Sequence, residues 1–262
     1  MNDTPLLRVQ SLGHRFAGSP EGRHAVADSS FELYPGEVLA VVGESGSGKS
    51  TLLNAIAGRL RPSEGRVLYR DACERWLEVH ALSERELRVL ARTEWGFVEQ
   101  NASDGLRLEV SAGANIGERL MGQGLRHYAQ LRESALHWMG RVELDASRID
   151  DSPRAFSGGM RQRLQIARNL VTRPRLVLMD EPTSGLDVSV QARLLDLIRL
   201  LVARMHLSAI VVTHDLGVAR LLSHRTIVMR QGRIVEQGLT DRVLDDPRHA
   251  YTQLLVSSVV MP

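Results

Sequence analysis

The chain has 262 residues, 43% of them hydrophobic, and its 33 Lys and Arg nearly balance its 31 Asp and Glu. This length and composition allow a sizeable buried core and exclude a disordered chain, and aromatic residues at 4% are too few for a stacking surface that binds nucleic acid. A single cysteine, Cys73, excludes an internal disulfide, and the lack of an apolar run near ~18 residues or of a signal-peptide pattern predicts a cytoplasmic protein without membrane insertion.

Short apolar runs of strand-like composition recur along the chain, and helical patterns lie between most of them. Strands that alternate with helices are typical of a parallel sheet with crossover helices, so we predict an α/β fold. The predicted strands are Leu7–Val9, Val38–Val42, Gly96–Val98, Leu176–Met179, Ala209–Thr213 and Thr226–Met229.

The stretch from about residue 101 to 172 differs from the rest because it contains no predicted strand. Helical patterns occur around Ile116–Met121 and Leu131–Val142, and a break at Asp151–Pro153 separates them from a further periodic run. We interpret the stretch as a helical lobe that is inserted into one sheet domain spanning residues 1–262.

The run Gly43–Thr51 satisfies the phosphate-loop pattern. In this pattern backbone N–H groups surround phosphate oxygens, the ammonium of Lys49 reaches the terminal phosphates and the hydroxyl of Ser50 is a ligand of Mg²⁺. Lys49 is the only lysine in a sequence that otherwise uses arginine for its side-chain cations. The alternative is an ordinary Gly/Ser turn before a helix. The apolar run Val38–Val42 before the loop and the helical run Leu52–Ala57 after it favour the phosphate loop.

Two acidic residues, Asp180 and Glu181, follow the apolar run Leu176–Met179. Open α/β sheets bind their ligands at the carboxyl ends of strands. At that position Asp180 can hold Mg²⁺ together with Ser50, and Glu181 can orient and deprotonate the attacking water. An acidic pair at a strand end is also common as a solvated turn. Its combination with a phosphate loop favours the catalytic interpretation.

The segment Ser157–Gly159 precedes a helical run that starts at Met160. Ser157 is a typical N-cap, and the two glycines leave the first N–H groups of the helix open to an anion. By itself, this pattern indicates no more than a capped helix after a flexible turn.

Six motifs follow one another along the chain: Gly43–Thr51, Gln100, Ser157–Gly159, Asp180–Glu181, Ser184–Asp187 and His214. Their order resembles that of the ATP-binding cassette family, and the resemblance covers nearly the whole chain. It implies a P-loop NTPase core with a mainly parallel sheet flanked by helices, an antiparallel β sub-lobe and an inserted helical sub-lobe. It also implies ATP and Mg²⁺ as cofactors, and a head-to-tail homodimer that holds each ATP between the phosphate loop of one chain and Ser157–Gly159 of the other.

The resemblance assigns a role to each site residue. Without it, His214 is equally compatible with a cap of the next helix, and Phe16 with a core position. The implied catalytic residues are Glu181, His214 and Gln100, and the implied Mg²⁺ ligands are Ser50, Gln100 and Asp180. The implied nucleotide-binding residues are Phe16 against adenine, then Gly43, Glu44, Ser45, Gly46, Ser47, Gly48, Lys49, Ser50 and Thr51, and finally Ser157, Gly158 and Gly159 toward the partner's nucleotide.

The sequence departs from the family's usual pattern at Phe156 and Met160, where Leu and Gln are common. The change at Met160 removes a polar side chain from the contacts to the partner's nucleotide. Because backbone N–H groups supply most of those contacts, we expect a change in affinity more than in activity.

Two groups of cassettes resemble different segments of the chain. Gly238–Asp241 and Pro247–Thr252 resemble cassettes of oligopeptide and nickel importers. More specific are Thr93–Gln100, Asp104–Arg107 and Ser111–Met121, which resemble the ATP-binding subunits of bacterial carbon–phosphorus lyase systems. This resemblance implies a homodimer that docks on the soluble carbon–phosphorus lyase core during phosphonate breakdown, with a second cassette paralogue left open as a further partner. The radical chemistry belongs to that core, because this chain lacks the cysteines that ligate an iron–sulfur cluster.

Two alternatives accompany this hypothesis. One is the ATPase subunit of an oligopeptide or nickel importer, and the other is a scaffold that binds ATP without turning it over. The presence of both Glu181 and His214 argues against the scaffold. Neighbouring genes for permeases would favour the importer, and genes for lyase subunits would favour the lyase system.

Overall fold

The computed structural model describes residues 4–16, 18 and 24–260 and forms two compact units. The first unit is Met1–Leu87 with His206–Pro262, and the second is Arg88–Met205. The strands are β1 (Leu7–His14), β2 (Val26–Leu33), β3 (Val38–Val42), β4 (Glu64–Arg70), β5 (Trp76–Glu78), β6 (Trp95–Val98), β7 (Leu176–Asp180), β8 (Ser208–Thr213), β9 (Arg225–Arg230) and β10 (Arg233–Leu239). The helices are α1 (Lys49–Ile56), α2 (Glu84–Thr93), α3 (Ala112–Gly122), α4 (Tyr128–Arg141), α5 (Gly158–Leu170), α6 (Val188–Met205), α7 (Leu216–Leu222), α8 (Thr240–Asp245) and α9 (Ala250–Val260).

An antiparallel sheet in the first unit has the strand order β2-β1-β4-β5. Leu7 of β1 pairs with Leu33 of β2 on one side and with Tyr69 of β4 on the other, and all three side chains are fully buried. The neighbouring pair, Arg8 and Glu32, forms a partly exposed ion pair at 2.8 Å. Alternation of this kind is typical of an antiparallel sheet with one buried face. The predicted antiparallel β sub-lobe is therefore present.

A parallel group in the same unit has β3 between β8 and β9, and β10 pairs antiparallel with β9. Every residue of β3 and β8 is buried, as expected for parallel strands that are covered on both faces. Val42 of β3 pairs with Thr213 of β8. Gly43 and His214, the next residues of each strand, therefore leave the sheet at the same edge.

The second unit contains the parallel pair β6 and β7, in which Val98 pairs with Met179. Gln100 and Glu181 each lie two residues beyond this pair, so both leave it at the same end. Helices α3, α4 and α5 pack against one another in the stretch that was predicted to be a helical lobe. The description of the chain as one domain over residues 1–262 stays a prediction.

All six predicted strands are present, as β1, β3, β6, β7, β8 and β9, although β1 extends well beyond its predicted end. The remaining strands, β2, β4, β5 and β10, were not predicted. Within the part of the chain that the structure describes, no helix combines the length and the hydropathy needed to cross a membrane.

Candidate nucleotide-binding site

The phosphate loop, Gly43–Thr51, leads from β3 into α1. Its glycines have backbone conformations that other residues avoid, with φ at +150° for Gly43 and +103° for Gly48. A Cβ atom at Gly43 would lie 2.2 Å from the carbonyl oxygen of Met229, and one at Gly48 would lie 2.1 Å from that of Ala25. The glycine pattern of the loop therefore has a direct steric cause.

Lys49 is 5% exposed, and its ammonium is held inside the loop. Nζ donates hydrogen bonds to the carbonyl oxygens of Gly43 and Glu44, both at 2.8 Å. Ser50 is exposed on the first turn of α1, and that turn contains no acidic residue. A phosphate at this helix N-terminus would meet a cation, a hydroxyl and backbone N–H groups, without a carboxylate from the turn to repel it.

Phe16 and His214 also belong to the first unit, and both are exposed. The ring of Phe16 is 51% exposed and lies edge-on to His14, with centroids 4.7 Å apart, so Phe16 is not a core residue. His214 directly follows β8. The N-cap of α7 is Asp215, whose carboxylate accepts a hydrogen bond from the N–H of Gly217 at 2.8 Å. Helix capping therefore does not explain His214.

The acidic pair lies at the end of β7 in the second unit. Asp180 is buried as the last residue of the strand, and Glu181 adopts a left-handed conformation with φ at +42°. A residue other than glycine held there costs about 1–3 kcal/mol, and such strain is typical of functional sites. The side-chain amide of Gln100 donates to Oε2 of Glu181 at 3.5 Å and to Oγ of Ser184 at 3.4 Å. The structure thus brings Gln100 and Glu181 together, as the strand register requires.

Ser157 is the N-cap of α5, and its Oγ accepts a hydrogen bond from the N–H of Met160 at 3.3 Å. A Cβ atom at Gly159 would lie 2.5 Å from a methyl carbon of Val190, so close packing against α6 requires glycine there. The unusual residues Phe156 and Met160 share a neighbour. The guanidinium of Arg148 lies 4.5 Å from the ring of Phe156 and contacts the sulfur of Met160 at 3.6 Å.

Two buried residues, Gln165 and Tyr251, hold the functional loops but belong to none of the sequence motifs. Gln165 of α5 accepts a hydrogen bond from the N–H of Glu99 and donates to the carbonyl oxygen of Glu99 at 3.3 Å, next to Gln100. Tyr251 of α9 accepts a hydrogen bond from the N–H of Glu44 at 3.1 Å. Both contacts join a polar side chain to the backbone of a residue far away in sequence.

The donor types of the chain fit Mg²⁺. A hydroxyl, that of Ser50, and a carboxylate, that of Asp180, are oxygen ligands, and proteins usually hold Mg²⁺ with one or two carboxylates while several waters or phosphate oxygens complete the shell. Within residues 4–16, 18 and 24–260, no group of three or more His, Cys, Asp or Glu side chains is arranged to hold a metal ion.

Comparisons with known proteins agree with this geometry. A family model described as ABC transporter matches residues 26–184. The putative phosphonates utilization ATP-binding protein PhnK of Escherichia coli (strain K12) is 60% identical over 256 residues, which cover 98% of each chain. The oligopeptide transport ATP-binding protein OppF of Haemophilus influenzae is 37% identical over 282 residues, which cover all of this chain and 80% of OppF.

Solved structures show the same likeness. The dimeric, post-hydrolysis state of the ATP-binding cassette MJ0796 bound to ADP and Pi superposes with a TM-score of 0.80 at 28% identity, and covers 89% of this chain and 98% of that chain. The cassette cbiO1 from Clostridium perfringens, part of the complex cbiONQ, has a TM-score of 0.79 at 25% identity, and covers 92% of this chain and 91% of that chain. This chain therefore belongs to the ABC transporter family and is an ABC-type ATPase with an α/β P-loop fold.

Proposed function

We propose that this chain binds and hydrolyses MgATP as a head-to-tail homodimer in the cytoplasm and docks on the soluble carbon–phosphorus lyase core during phosphonate breakdown. The observation that carries the proposal is the 60% identity with PhnK, which extends over 98% of both chains. The segments that resemble lyase-associated cassettes, Asp104–Arg107 and Ser111–Met121, support it.

The residues supply the groups that ATP hydrolysis needs. Lys49 and the N–H groups of its loop bind the phosphates, and the exposed Phe16 stacks on adenine. The hydroxyl of Ser50, the carboxylate of Asp180 and the amide oxygen of Gln100 would hold Mg²⁺, which would supply positive charge against the charge that develops on the phosphates.

Two further groups act on the terminal phosphate. Glu181 is not one of the proposed Mg²⁺ ligands, so its carboxylate can accept a proton from the attacking water. His214 contacts the γ-phosphate. Ser157, Gly158 and Gly159 present the N-terminus of α5 to the nucleotide of the partner chain.

A group of arginines in the second unit indicates what kind of surface the partner presents. A cavity of about 380 Å³ in the second unit is lined by Arg92, Arg119, Arg126 and Arg168, with Glu118 as its acidic member. Burial, together with the positive charges of Arg168 and Arg92, lowers the pKa of Arg119 to about 10. An acidic side chain from a docking protein would relieve this repulsion, so we expect the partner to present carboxylates here.

The arginines of this region are not equally good probes of docking. Arg119 donates a hydrogen bond to the carbonyl oxygen of Trp95 at 2.7 Å. Reversing its charge would break this internal hydrogen bond of the second unit, so a loss of docking could not be separated from a loss of stability. Arg107 is 60% exposed and pairs with Glu118 at 3.3 Å. Arg199 of α6 is a matched control, since it is 58% exposed and pairs with Asp196 at 3.4 Å.

Arg107→Glu is expected to reduce co-purification with lyase subunits by roughly 3–10-fold without changing ATP binding, because it reverses an exposed charge next to Glu118, which lines the arginine-rich cavity. Arg199→Glu should leave recovery unchanged. The measurement is affinity purification of the tagged chain from phosphate-starved cells, with quantitative mass spectrometry of the partners.

The same purification decides between the two candidate functions. The 37% identity with OppF favours an importer subunit as the second candidate. An importer subunit would be recovered with an integral membrane protein. Recovery of a permease without any lyase subunit would overturn the lyase proposal in favour of import.

A further inference from the structure

Glu44, the second residue of the phosphate loop, is held by hydrogen bonds on both sides of its backbone. Its carbonyl oxygen accepts hydrogen bonds from Nζ of Lys49 at 2.8 Å and from the N–H of Ser47 at 3.1 Å. Its N–H donates to the hydroxyl of Tyr251, on α9, at 3.1 Å. The side chain of Glu44 is exposed, so this backbone contact does not come from general burial of the residue. The peptide group between Gly43 and Glu44 is therefore held at its N–H by α9 and at its carbonyl oxygen, that of Gly43, by Nζ of Lys49 at 2.8 Å.

Packing contacts hold the ring of Tyr251 in place independently of its hydrogen bond to the loop. Tyr251 is 3% exposed and packs in a hydrophobic cluster with Val42, the residue before the loop, and with Leu216. The guanidinium of Arg230 lies 4.8 Å from the ring centroid, within the range of a cation–π contact. A rigid ring with one polar end places its hydroxyl accurately, at little further cost in side-chain entropy.

The start of α9 is anchored as well. The carboxylate of Glu236 on β10 accepts hydrogen bonds from the N–H groups of Arg248 at 2.8 Å and of His249 at 3.0 Å. Nδ1 of His249 in turn accepts one from the N–H of Tyr251 at 3.1 Å. Burial alone would raise the pKa of the Glu236 carboxyl, but the hydrogen bonds that it accepts hold this pKa below its usual value. The ionised carboxylate is thus the form that the fold stabilises.

We infer that Tyr251 is a positioning residue for the phosphate loop: its hydroxyl fixes the peptide group that joins Gly43 to Glu44, and the carbonyl oxygen of that same peptide, the oxygen of Gly43, accepts a hydrogen bond from Nζ of Lys49 and so keeps Lys49 oriented toward the phosphates of ATP. The inference rests on the proposed assignment of Gly43–Thr51 to those phosphates. If Tyr251 only filled the core, the ring alone would suffice, and phenylalanine would serve as well as tyrosine.

Tyr251→Phe separates these roles, because it keeps the ring and removes the hydroxyl. Since Lys49 is the only lysine, its modification by an amine reagent can be followed by peptide mapping without interference from other side chains. Without nucleotide, we expect Tyr251→Phe to raise the modification rate of Lys49 by roughly 2–12-fold. This is the factor by which the loss of one ordinary hydrogen bond changes an equilibrium constant. The KM for ATP should rise by a similar factor, and kcat should change less than KM.

Tyr34→Phe is the matched control. It removes a phenol hydrogen bond in the same unit, that to Oε2 of Glu32 at 2.8 Å, and should leave both readouts at the wild-type value. If Tyr251→Phe does not fold, Glu236→Gln provides the test of the positioning role, because it keeps Tyr251 and removes the charge that anchors the start of α9. It should change both readouts in the same direction, by a smaller factor.

Protection of wild-type Lys49 by MgATP tests the assignment of the loop separately. If MgATP does not protect wild-type Lys49, the proposed nucleotide site is wrong. If it does protect wild-type Lys49, and folded Tyr251→Phe shows the wild-type modification rate and KM, the role given to Tyr251 is wrong while the nucleotide site stands.

Discussion

Glu181→Gln is expected to lower the rate of ATP hydrolysis about 10²–10⁴-fold, the usual contribution of a general base, while ATP binding stays largely intact. The substitution keeps the size of the side chain and its hydrogen-bonding capacity toward Gln100. It removes only the group that accepts the proton of the attacking water. Because ATP then stays bound, the variant should accumulate as a closed dimer.

Steady-state release of phosphate and sedimentation with MgATP measure these two effects. Glu143→Gln is a suitable control, because Glu143 also has a left-handed backbone, with φ at +56°, in the same unit. It should hydrolyse ATP at the wild-type rate. Hydrolysis by Glu181→Gln at that same rate would show that Glu181 is not the base.

Mixing two inactive variants should restore part of the activity if each nucleotide site is built from two chains. A two-fold interface uses the same surfaces of both chains, so Lys49→Ala damages one side of a site and Ser157→Arg the other. Each variant alone should be inactive. In an equal mixture half of the dimers are mixed, and each of these keeps one of its two sites, so about a quarter of the wild-type rate is expected for independent sites.

Ser83→Arg controls for the lost helix cap in this experiment. Ser83 Oγ accepts a hydrogen bond from the N–H of Glu86 at 3.3 Å, the same distance as in the cap formed by Ser157. Ser83→Arg should lose the stability of one cap, about 1 kcal/mol, and keep its ATPase activity. Full activity in either single variant, or none in the mixture, would contradict the composite site.

The sequence predicted the strands that carry the motifs because these are uninterrupted apolar runs. β3 and β7, for example, are buried along their whole length. β2 was missed because Asp28, Ser29 and Ser30 interrupt its apolar residues, although Ser29 is buried and pairs with Leu12 of β1. β10 had a usable signal in the sequence, since Gly232 follows the apolar run of β9 and glycine is common in tight hairpin turns. In the structure Gln231 and Gly232 both have positive φ, as such a turn requires.

The site was predictable where one short segment carries the chemistry. The phosphate loop and Asp180–Glu181 are examples, since the strand, the turn and the functional groups are adjacent in sequence. The contacts of Gln165 with Glu99 and of Tyr251 with Glu44 span 66 and 207 residues. A polar side chain that binds distant backbone leaves no periodic pattern, so neither could be found without the fold.

The most direct test of the central claim uses the single lysine in the wild-type protein. Lys49 and the α-amino group are the amines available to an acylating reagent. Peptide mapping after brief labelling, with and without MgATP, measures whether ATP occupies the loop. The account predicts that MgATP protects Lys49 and leaves labelling of the α-amino group unchanged. Equal modification of Lys49 in both samples would contradict it.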